Sequence, residues 1–282
     1  MIKTPLHTPV KPEEAGGTLR FLYKNPFGRV ILRLLRAKWI SKLAGAFLNT
    51  RFSKFLIKSF VENNGIDLSE YECDNFNCFN DCFCRKIKPG MRPFDEDEDA
   101  LAAPCDGLLS AYKIESGAVY PVKQSEYTVE SLLRNRALAD EFYGGYMYVF
   151  RLCVNHYHRY HYPVNGKKGA NIRIGGTLHT VRPIALESRA VFCENSREYT
   201  VIDSESFGRI VQMEVGAMLV GKIRNLHGEK AVAKGEEKGM FLYGGSTVIL
   251  LTGNFAKPIE EFLTNTKEGL ETPVKAGERI NE

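Results

Sequence analysis

The stretch Met240-Phe241-Leu242-Tyr243-Gly244-Gly245-Ser246-Thr247-Val248-Ile249-Leu250-Leu251 is apolar except for a break of small residues at its centre. It belongs to an uncharged run, 240–256, that contains three Gly, one Ser, two Thr and one Asn. A membrane-spanning helix needs about 20 predominantly apolar residues, whereas short apolar runs broken by glycine are typical of buried strands. The stretch therefore predicts buried β-structure near the carboxyl terminus.

Similar short strands, punctuated by glycine, fill the chain from residue 102 onward. The predicted strands are Leu108–Ile114, Tyr146–Val154, Asn171–Leu178, Tyr199–Asp203, Arg209–Ala217 and Met240–Leu251, with short helices at Thr128–Arg134 and Ala137–Phe142. A charged connector that contains proline and glycine, residues 85–100, precedes them. This texture predicts a mostly antiparallel β domain after the connector.

The N-terminal region is cationic and helical in pattern. Residues 15–61 contain ten basic residues and no acidic one. Because the whole chain carries +4 and this segment +10, the rest carries −6. Apolar residues recur at helical spacing from Arg29 to Leu48, and a second helical stretch places four apolar residues on one face: Phe52, Phe55, Leu56 and Phe60.

Cationic amphipathic helices with aromatic side chains suit an anionic membrane surface. The other interpretation is a solvated basic face on a helix that packs against the core, and both stay open at this point. Together the patterns predict an α+β fold, with a helical, membrane-facing N-terminal region and linker over residues 1–100 and a β-rich domain over 101–282.

The chain has seven cysteines and no apolar segment at its N-terminus of the kind a signal peptide needs. We therefore expect free thiols in a reducing compartment. Cys73, Cys78, Cys82 and Cys84 lack the paired C-x2-C spacing of a zinc site, so we interpret Cys82 and Cys84 as small apolar residues on one helix.

Three local motifs carry candidate chemistry. They are Pro104-Cys105-Asp106-Gly107, the stretch 155–166 with His156, His158 and His161, and Tyr243-Gly244-Gly245-Ser246-Thr247-Val248. The histidines are consistent with a metal site or with aromatic packing. A third interpretation takes Asp106, His161 and Ser246 together, with Asp106 orienting His161 as the general base for the Ser246 hydroxyl. The residues alone leave all three open.

Ser246 follows a glycine, and this order permits a further reaction. A serine hydroxyl can attack the carbonyl of the preceding residue, and Gly245 has no side chain to obstruct the approach. This N→O acyl shift gives an ester, and elimination and hydrolysis of that ester leave a pyruvoyl group at a new N-terminus.

Seven ordered motifs resemble those of one family. They are Phe79-Asn80-Asp81-Cys82-Phe83-Cys84-Arg85-Lys86 with Arg92-Pro93, Cys105-Asp106-Gly107, Tyr157-His158-Arg159-Tyr160-His161, Arg197-Glu198-Tyr199, Met213-Glu214-Val215-Gly216-Ala217, Lys234-Gly235-Glu236-Glu237-Lys238-Gly239 and Gly244-Gly245-Ser246-Thr247-Val248. Over most of its length the chain resembles the phosphatidylserine decarboxylase proenzymes, specifically the bacterial type II branch.

This resemblance implies a catalytic set of Asp106, His161 and Ser246, and self-cleavage between Gly245 and Ser246. The products would be a β chain, 1–245, and an α chain, 246–282, that stay together as a heterodimer around a shared β core. Ser246 would become the pyruvoyl group, which forms a Schiff base with the amine of phosphatidylserine so that decarboxylation gives phosphatidylethanolamine. His158 is a candidate for substrate binding, and the mechanism needs no metal.

The resemblance also implies a peripheral protein on the cytoplasmic face of the cell membrane, whose partner is phosphatidylserine in an anionic membrane and not a nucleic acid. Further oligomerisation is left open. Two departures stand out: His156 occupies a position where the family often has Asp, and the cleavage motif is Gly-Gly-Ser-Thr rather than the Leu-Gly-Ser-Thr of the larger branch. The alternative function is that of an unprocessed homologue that only binds anionic lipid.

Overall fold

A computed structural model describes residues 7–12, 25, 43, 45–73, 75–122, 125–175, 196–216, 223–243 and 246–282. Most of the predicted helix Arg29–Leu48 lies outside these ranges, as do Gly244 and Gly245. The α-helices described are α1 (Phe55–Asn63), α2 (Phe79–Phe83), α3 (Val129–Leu133), α4 (Arg136–Asp140) and α5 (Glu260–Lys267). Single 3-10 turns cover Arg51–Lys54 and Leu68–Glu70.

The described strands form three sheets in which every pairing is antiparallel. The strands are β1 (Gly107–Lys113), β2 (Tyr120–Val122), β3 (Ser125–Tyr127), β4 (Tyr146–Leu152), β5 (Arg159–His161), β6 (Gly166–Lys168), β7 (Ile172–Ile174), β8 (Arg197–Ser204), β9 (Gly208–Val215), β10 (Ile223–Asn225), β11 (Lys230–Val232), β12 (Glu237–Phe241), β13 (Ser246–Thr252) and β14 (Thr272–Val274). The predicted α+β class with a mostly antiparallel sheet is confirmed.

The largest sheet has the strand order β11-β6-β8-β9-β13-β4-β1-β14, with β7 also paired to β8. Helices α3 and α4 cover one face and bury Leu132 and Leu138 against Ile249. The small sheet β10-β12-β5 covers the other face, where it packs Tyr160 and Phe241 against the side of β13 that carries Val248 and Leu250. Side chains alternate along a strand, so Ser246 shares the face that looks toward the small sheet.

The segment 246–282 is built into the core by backbone pairing. Strand β13 lies between β9 and β4, and β14 pairs with β1. Helix α5 packs beside β1, where Thr266 accepts a hydrogen bond from the Ala111 N–H at 2.9 Å. Val10 and Glu271 form an additional bridge. A break before Ser246 would therefore leave this segment paired on both sides.

The second predicted helical stretch is confirmed, since the turn Arg51–Lys54 and α1 cover it. Its apolar residues divide between two faces rather than sharing one. Leu56 and Phe60 pack against the aromatic cluster of α2, whereas Phe52 and Phe55 are 82% and 72% exposed. One face of this stretch therefore packs against the protein, and the face that carries Phe52 and Phe55 is exposed to solvent.

None of the six cysteines in the described ranges forms a disulfide. Cys82 and Cys84 are buried as expected, although Cys84 caps the end of α2 rather than lying within it. Burial raises the pKa of Cys82 to about 11 and that of Cys84 to about 12. Among the described residues no group of three or more His, Cys, Asp or Glu is arranged to hold a metal ion. Nor does any described helix have the length and hydropathy to span a membrane.

The predicted strand Met240–Leu251 is two strands, because the chain leaves the small sheet after Phe241 and enters the large sheet at Ser246. The connector packs on the β domain, where Lys234 donates hydrogen bonds to the carbonyls of Asp95 and Ala100 at 3.0 and 2.9 Å. The domain boundary after residue 100 stays a prediction.

Candidate active site

Asp106 and Ser246 lie at the same end of the large sheet. Asp106 immediately precedes β1, and Ser246 is the first residue of β13. Both strands pair with β4, where Leu108 lies opposite Arg151 and Ser246 opposite Leu152. Because neighbouring strands are about 4.8 Å apart, the starts of β1 and β13 are about 10 Å apart. Ser246 is completely buried.

His161 approaches this end of the sheet from β5. Its backbone N–H donates to the carbonyl of Pro104 at 2.8 Å, which places it beside the turn that carries Asp106. The ring nitrogen Nδ1 lies 3.0 Å from the carbonyl oxygen of Gly235. A carbonyl can only accept, so Nδ1 carries the proton in this contact. The neutral ring therefore presents a bare, basic Nε2.

The Nε2 atom of His161 is buried and has no hydrogen-bond partner among the described residues. Burial lowers the pKa of His161, the carbonyl of Gly235 raises it by a smaller amount, and the negative charges of Glu237 and Asp106 raise it further. The net shift is downward, so the ring stays neutral at neutral pH. A buried, unprotonated and unpartnered imidazole nitrogen is the chemical form of a general base.

Gly235 contacts the His161 ring through its carbonyl, and the sequence motif that contains this glycine gave no indication of that contact. Its φ is +81°, a conformation that side chains other than glycine rarely adopt, and an added Cβ would lie 2.9 Å from the Phe94 ring. The Gly235 N–H donates to the carbonyl of Tyr162 at 2.9 Å. The turn is thus fixed on the His161 strand, and its carbonyl sets the tautomer of the histidine.

The carboxylate of Asp106 is held by other groups than His161. Arg92 donates from Nε to Oδ1 at 2.9 Å and from Nη2 to Oδ2 at 2.8 Å, and the Ala276 N–H donates to Oδ1 at 2.9 Å. Asp106 acts on His161 through its charge, which favours the protonated ring. In this structure Gly235 orients the ring, and the catalytic role assigned to Asp106 stays a prediction.

Arg92 also bonds Glu70 at 2.8 Å and is almost buried. Its two carboxylate partners raise the pKa of Arg92 further above its already high value, against the effect of burial. Sequence reasoning assigned no role to this arginine, although Arg92-Pro93 is part of a quoted motif. Its positive charge partly offsets the negative charge of Asp106 beside His161.

His158 lies in an aromatic cluster next to the predicted cleavage position. Its ring centroid is 4.0 Å from that of Phe83, and Phe83 is 5.2 Å from Tyr243. The Nδ1 atom of His158 lies 2.9 Å from the carbonyl of His156, so Nδ1 carries the proton here as well. Tyr243 is the last described residue before Gly244, so His158 is placed near the segment that precedes Ser246.

A buried ion pair lies behind β12. Lys238 Nζ is 2.6 Å from Glu214 Oε2, with neither side chain exposed, and Asn225 accepts from Lys238 at 3.1 Å. Burial raises the pKa of Glu214 and lowers that of Lys238. Removing one partner of such a pair costs about 3–5 kcal/mol because a charge is left buried alone. The pair connects β12, which leads to the predicted cleavage position, with β9. The sequence motifs that contain Glu214 and Lys238 gave no indication that the two residues pair.

The structure has a buried serine at the head of a central strand and a neutral histidine near the same sheet end, the two groups that the prediction of self-cleavage requires. The family model described as phosphatidylserine decarboxylase matches residues 79–282, and the chain belongs to this family.

Curated relatives match almost the whole chain. Phosphatidylserine decarboxylase proenzyme 2 of Clostridium acetobutylicum is 41% identical over 269 residues, which cover 95% of this chain and 92% of the relative. The phosphatidylserine decarboxylase proenzyme of Clostridium botulinum is 41% identical over 269 residues, 93% of this chain and 91% of the relative. That of Ruminiclostridium cellulolyticum is 40% identical over 275 residues, 94% and 91% of the two chains. The resemblance stated from the sequence motifs is confirmed.

Proposed function

We propose that this protein decarboxylates phosphatidylserine to phosphatidylethanolamine after it has cleaved itself between Gly245 and Ser246. The main structural support for self-cleavage is Nε2 of His161, which is buried and unprotonated because the Gly235 carbonyl keeps the proton of the ring on Nδ1. Membership of the decarboxylase family supports the reaction and the substrate. The alternative, an unprocessed homologue that only binds anionic lipid, is not favoured.

Cleavage begins with the Ser246 hydroxyl. Its oxygen attacks the carbonyl carbon of Gly245 while the hydroxyl proton passes to Nε2 of His161. Collapse of the tetrahedral adduct then breaks the C–N bond and gives an ester, with a free amine at residue 246. Loss of the Ser246 Cα proton then expels the Gly245 carboxylate. Water then displaces the nitrogen on the Cα of residue 246, which leaves as ammonia. The Cα of residue 246 becomes the carbon of a ketone.

The site fits the pyruvoyl group that this sequence of steps leaves. Ser246 starts a strand paired on both sides, so residue 246 stays in place after the chain breaks. A buried base without a partner is available beside the same sheet end. The pyruvoyl ketone supplies an electron sink for decarboxylation of an amino acid headgroup.

The protein's own residues control the surroundings of that group. His158, Phe83 and Tyr243 form a cluster of rings beside the chain that leads to Ser246. We assign contact with the substrate headgroup to His158, and to His161 the holding or return of a proton at Nε2. The Glu214–Lys238 pair keeps β12 on the sheet after its covalent link to β13 is lost.

The direct test uses purified wild-type protein and vesicles that contain phosphatidylserine. We expect two chains by intact mass, 1–245 and 246–282, the smaller one lighter by the mass of one ammonia molecule than its sequence with a free N-terminal serine. Phosphatidylethanolamine should appear with time, and phenylhydrazine, which reacts with ketones, should stop its formation. An active protein that runs as one 282-residue chain would contradict the proposal.

We also propose that the protein acts as a peripheral protein on the cytoplasmic face of the cell membrane. Phe52 and Phe55 point away from the core, and Arg51, Lys54 and Lys58 on the same stretch are exposed. Exposed aromatic residues among cations match the chemistry of an anionic lipid surface. This supports the membrane interpretation of the N-terminal region over the solvated face.

The double variant Phe52→Ser/Phe55→Ser should bind phosphatidylserine vesicles about tenfold more weakly, because two apolar side chains no longer enter the interface. Co-sedimentation at low salt measures this, and self-cleavage should be unchanged. The matched control is Phe255→Ser, which removes an equally exposed phenylalanine, 82%, from the loop after β13. If vesicle binding is weakened equally in the double variant and in Phe255→Ser, or is not weakened in the double variant, the proposal that Phe52 and Phe55 contact the membrane is wrong.

A further inference from the structure

A cleft of about 340 Å³ lies on the outer side of the small sheet, between β10, β12 and the chain that follows α2. We call it the cationic cleft and define it by Lys86, Arg159, Arg224, Met240 and Leu242. Nothing in the function proposed above uses its charged residues. Its volume lies within the range of about 300–1,000 Å³ that is usual for small-ligand pockets.

The cleft has more positive than negative charge. Its walls carry four cations, among them Arg85, and two carboxylates, Glu72 and Asp81. Two of these cations already form hydrogen bonds with other groups of the protein. Arg85 donates to the carbonyls of Asn155 and His156 at 2.7 and 3.0 Å, and Arg159 bonds Glu237 at 2.6 Å and the Cys84 carbonyl at 2.8 Å.

Lys86 and Arg224 are the other two cations of the cleft. Both are exposed, and within the described ranges neither side chain takes part in a hydrogen bond or an ion pair. Arg224 is the central residue of β10, paired with Met240, so its backbone is fixed. Both line the same cleft, and a guanidinium fork and an ammonium are donors that bind phosphate oxygens in proteins.

The residues that line the cleft are close along the chain both to the proposed membrane surface and to Ser246. Asn49 comes just before the turn Arg51–Lys54, which carries exposed Phe52. Leu242 is four residues before Ser246, and the next residue, Tyr243, contacts the ring of Phe83. A glycerophospholipid has the same order of parts: acyl chains, then phosphate, then the serine.

Resting on the proposed decarboxylase function, we propose that Lys86 and Arg224 bind the phosphate of the phospholipid headgroup. The phosphodiester would lie between them, the acyl chains toward Phe52 and the serine toward the segment before Ser246. The Met240 and Leu242 side chains would pack against the glycerol. Lys86 and Arg224 thus act as substrate-binding residues and take no part in self-cleavage.

The experiment uses the Lys86→Ala, Arg224→Ala and double variants with a short-chain phosphatidylserine kept below its aggregation concentration. A charged hydrogen bond contributes about 1.5–3 kcal/mol, so each single variant should raise KM about tenfold or more, with kcat changed less than KM. Self-cleavage by intact mass should be complete in all three. A monomeric substrate is used so that attraction of the protein to a charged surface does not enter the rate.

Two further arms identify the ligand. Glycerol 3-phosphate should inhibit the wild type competitively and the double variant at least about tenfold more weakly, by the same loss of charged hydrogen bonds. The control Arg136→Ala removes an exposed arginine from α4, on the opposite side of the large sheet, and should leave KM and inhibition unchanged.

Four results would overturn the proposal. An unchanged KM for monomeric substrate with weakened vesicle binding would assign the two cations to the membrane surface. Inhibition by inorganic phosphate that depends on them, with an unchanged KM, would assign a free-phosphate site. Wild-type protein that cleaves itself but forms no phosphatidylethanolamine would refute the proposed function and the subsite with it, whereas an active wild type with an unaffected double variant would refute the subsite alone.

Discussion

The Ser246→Ala variant is expected to remain a single chain of 282 residues and to form no phosphatidylethanolamine. Alanine has no oxygen to attack the Gly245 carbonyl, so neither the ester nor the ketone can form. Ser246 is buried at the head of a strand paired with β4 and β9, and a loss of one oxygen atom leaves those pairings intact. Intact mass and product formation from phosphatidylserine vesicles measure the two losses together.

The matched control is Ser110→Ala, which removes a buried hydroxyl from β1 in the same sheet. That variant should cleave fully and keep its activity, so a general effect of losing a buried serine is separated from the loss of the nucleophile. Thermal unfolding of both variants should show a folded protein. Cleavage of the Ser246→Ala chain at the same position would remove Ser246 from the reaction.

The strands of the β domain were predictable because their signals are local. β4 and β13 consist mainly of apolar residues and are bounded by glycine at Gly145 and Gly253, and the structure buries every residue of both strands. The start of β13 was missed because the apolar run continues across the break from Met240 to Leu251. Only the tertiary structure shows that Phe241 and Ser246 belong to different sheets.

Helix α5 was not predicted, and its sequence explains why. Glu260–Lys267 contains only Phe262 and Leu263 as apolar residues, and no side chain caps its N-terminus. Its position is fixed by contacts distant in sequence, with Phe262 buried in the core and Thr266 bonded to β1. Tertiary packing rather than a periodic pattern holds this helix.

The candidate site divides in the same way. Asp106, His161 and Ser246 stand in short motifs, so the sequence could nominate them. The groups that set their chemical state come from distant segments: the Gly235 carbonyl is 74 residues from His161, and Arg92 reaches Asp106 from the connector. Single-sequence patterns report spacing along the chain and contain no information on which carbonyl a ring nitrogen meets after folding.

The His161→Gln variant should slow self-cleavage by about 10²–10⁴-fold, the usual contribution of a positioned general base. The glutamine amide can still donate to the Gly235 carbonyl, so the turn keeps its partner, but no basic nitrogen is left for the Ser246 proton. Cell-free translation followed by a timed chase measures the fraction of precursor converted. His227→Gln, which replaces a partly buried histidine beside Glu236 and Tyr162, should mature at the wild-type rate.

The pH dependence of wild-type maturation gives an independent measure of the same residue. Burial lowers the pKa of His161 from 6.5, so the ring is still mainly neutral at pH 6.5 and becomes protonated only under more acidic conditions. The cleavage rate should therefore fall to half of its maximum only at a pH below 6.5, when protonation removes the base. The unfolded chain takes up this proton first, so acidification through pH 6.5 also weakens the fold. A rate already halved at pH 6.5, or a His161→Gln precursor that matures normally, would show that a different, solvent-exposed group accepts the Ser246 proton.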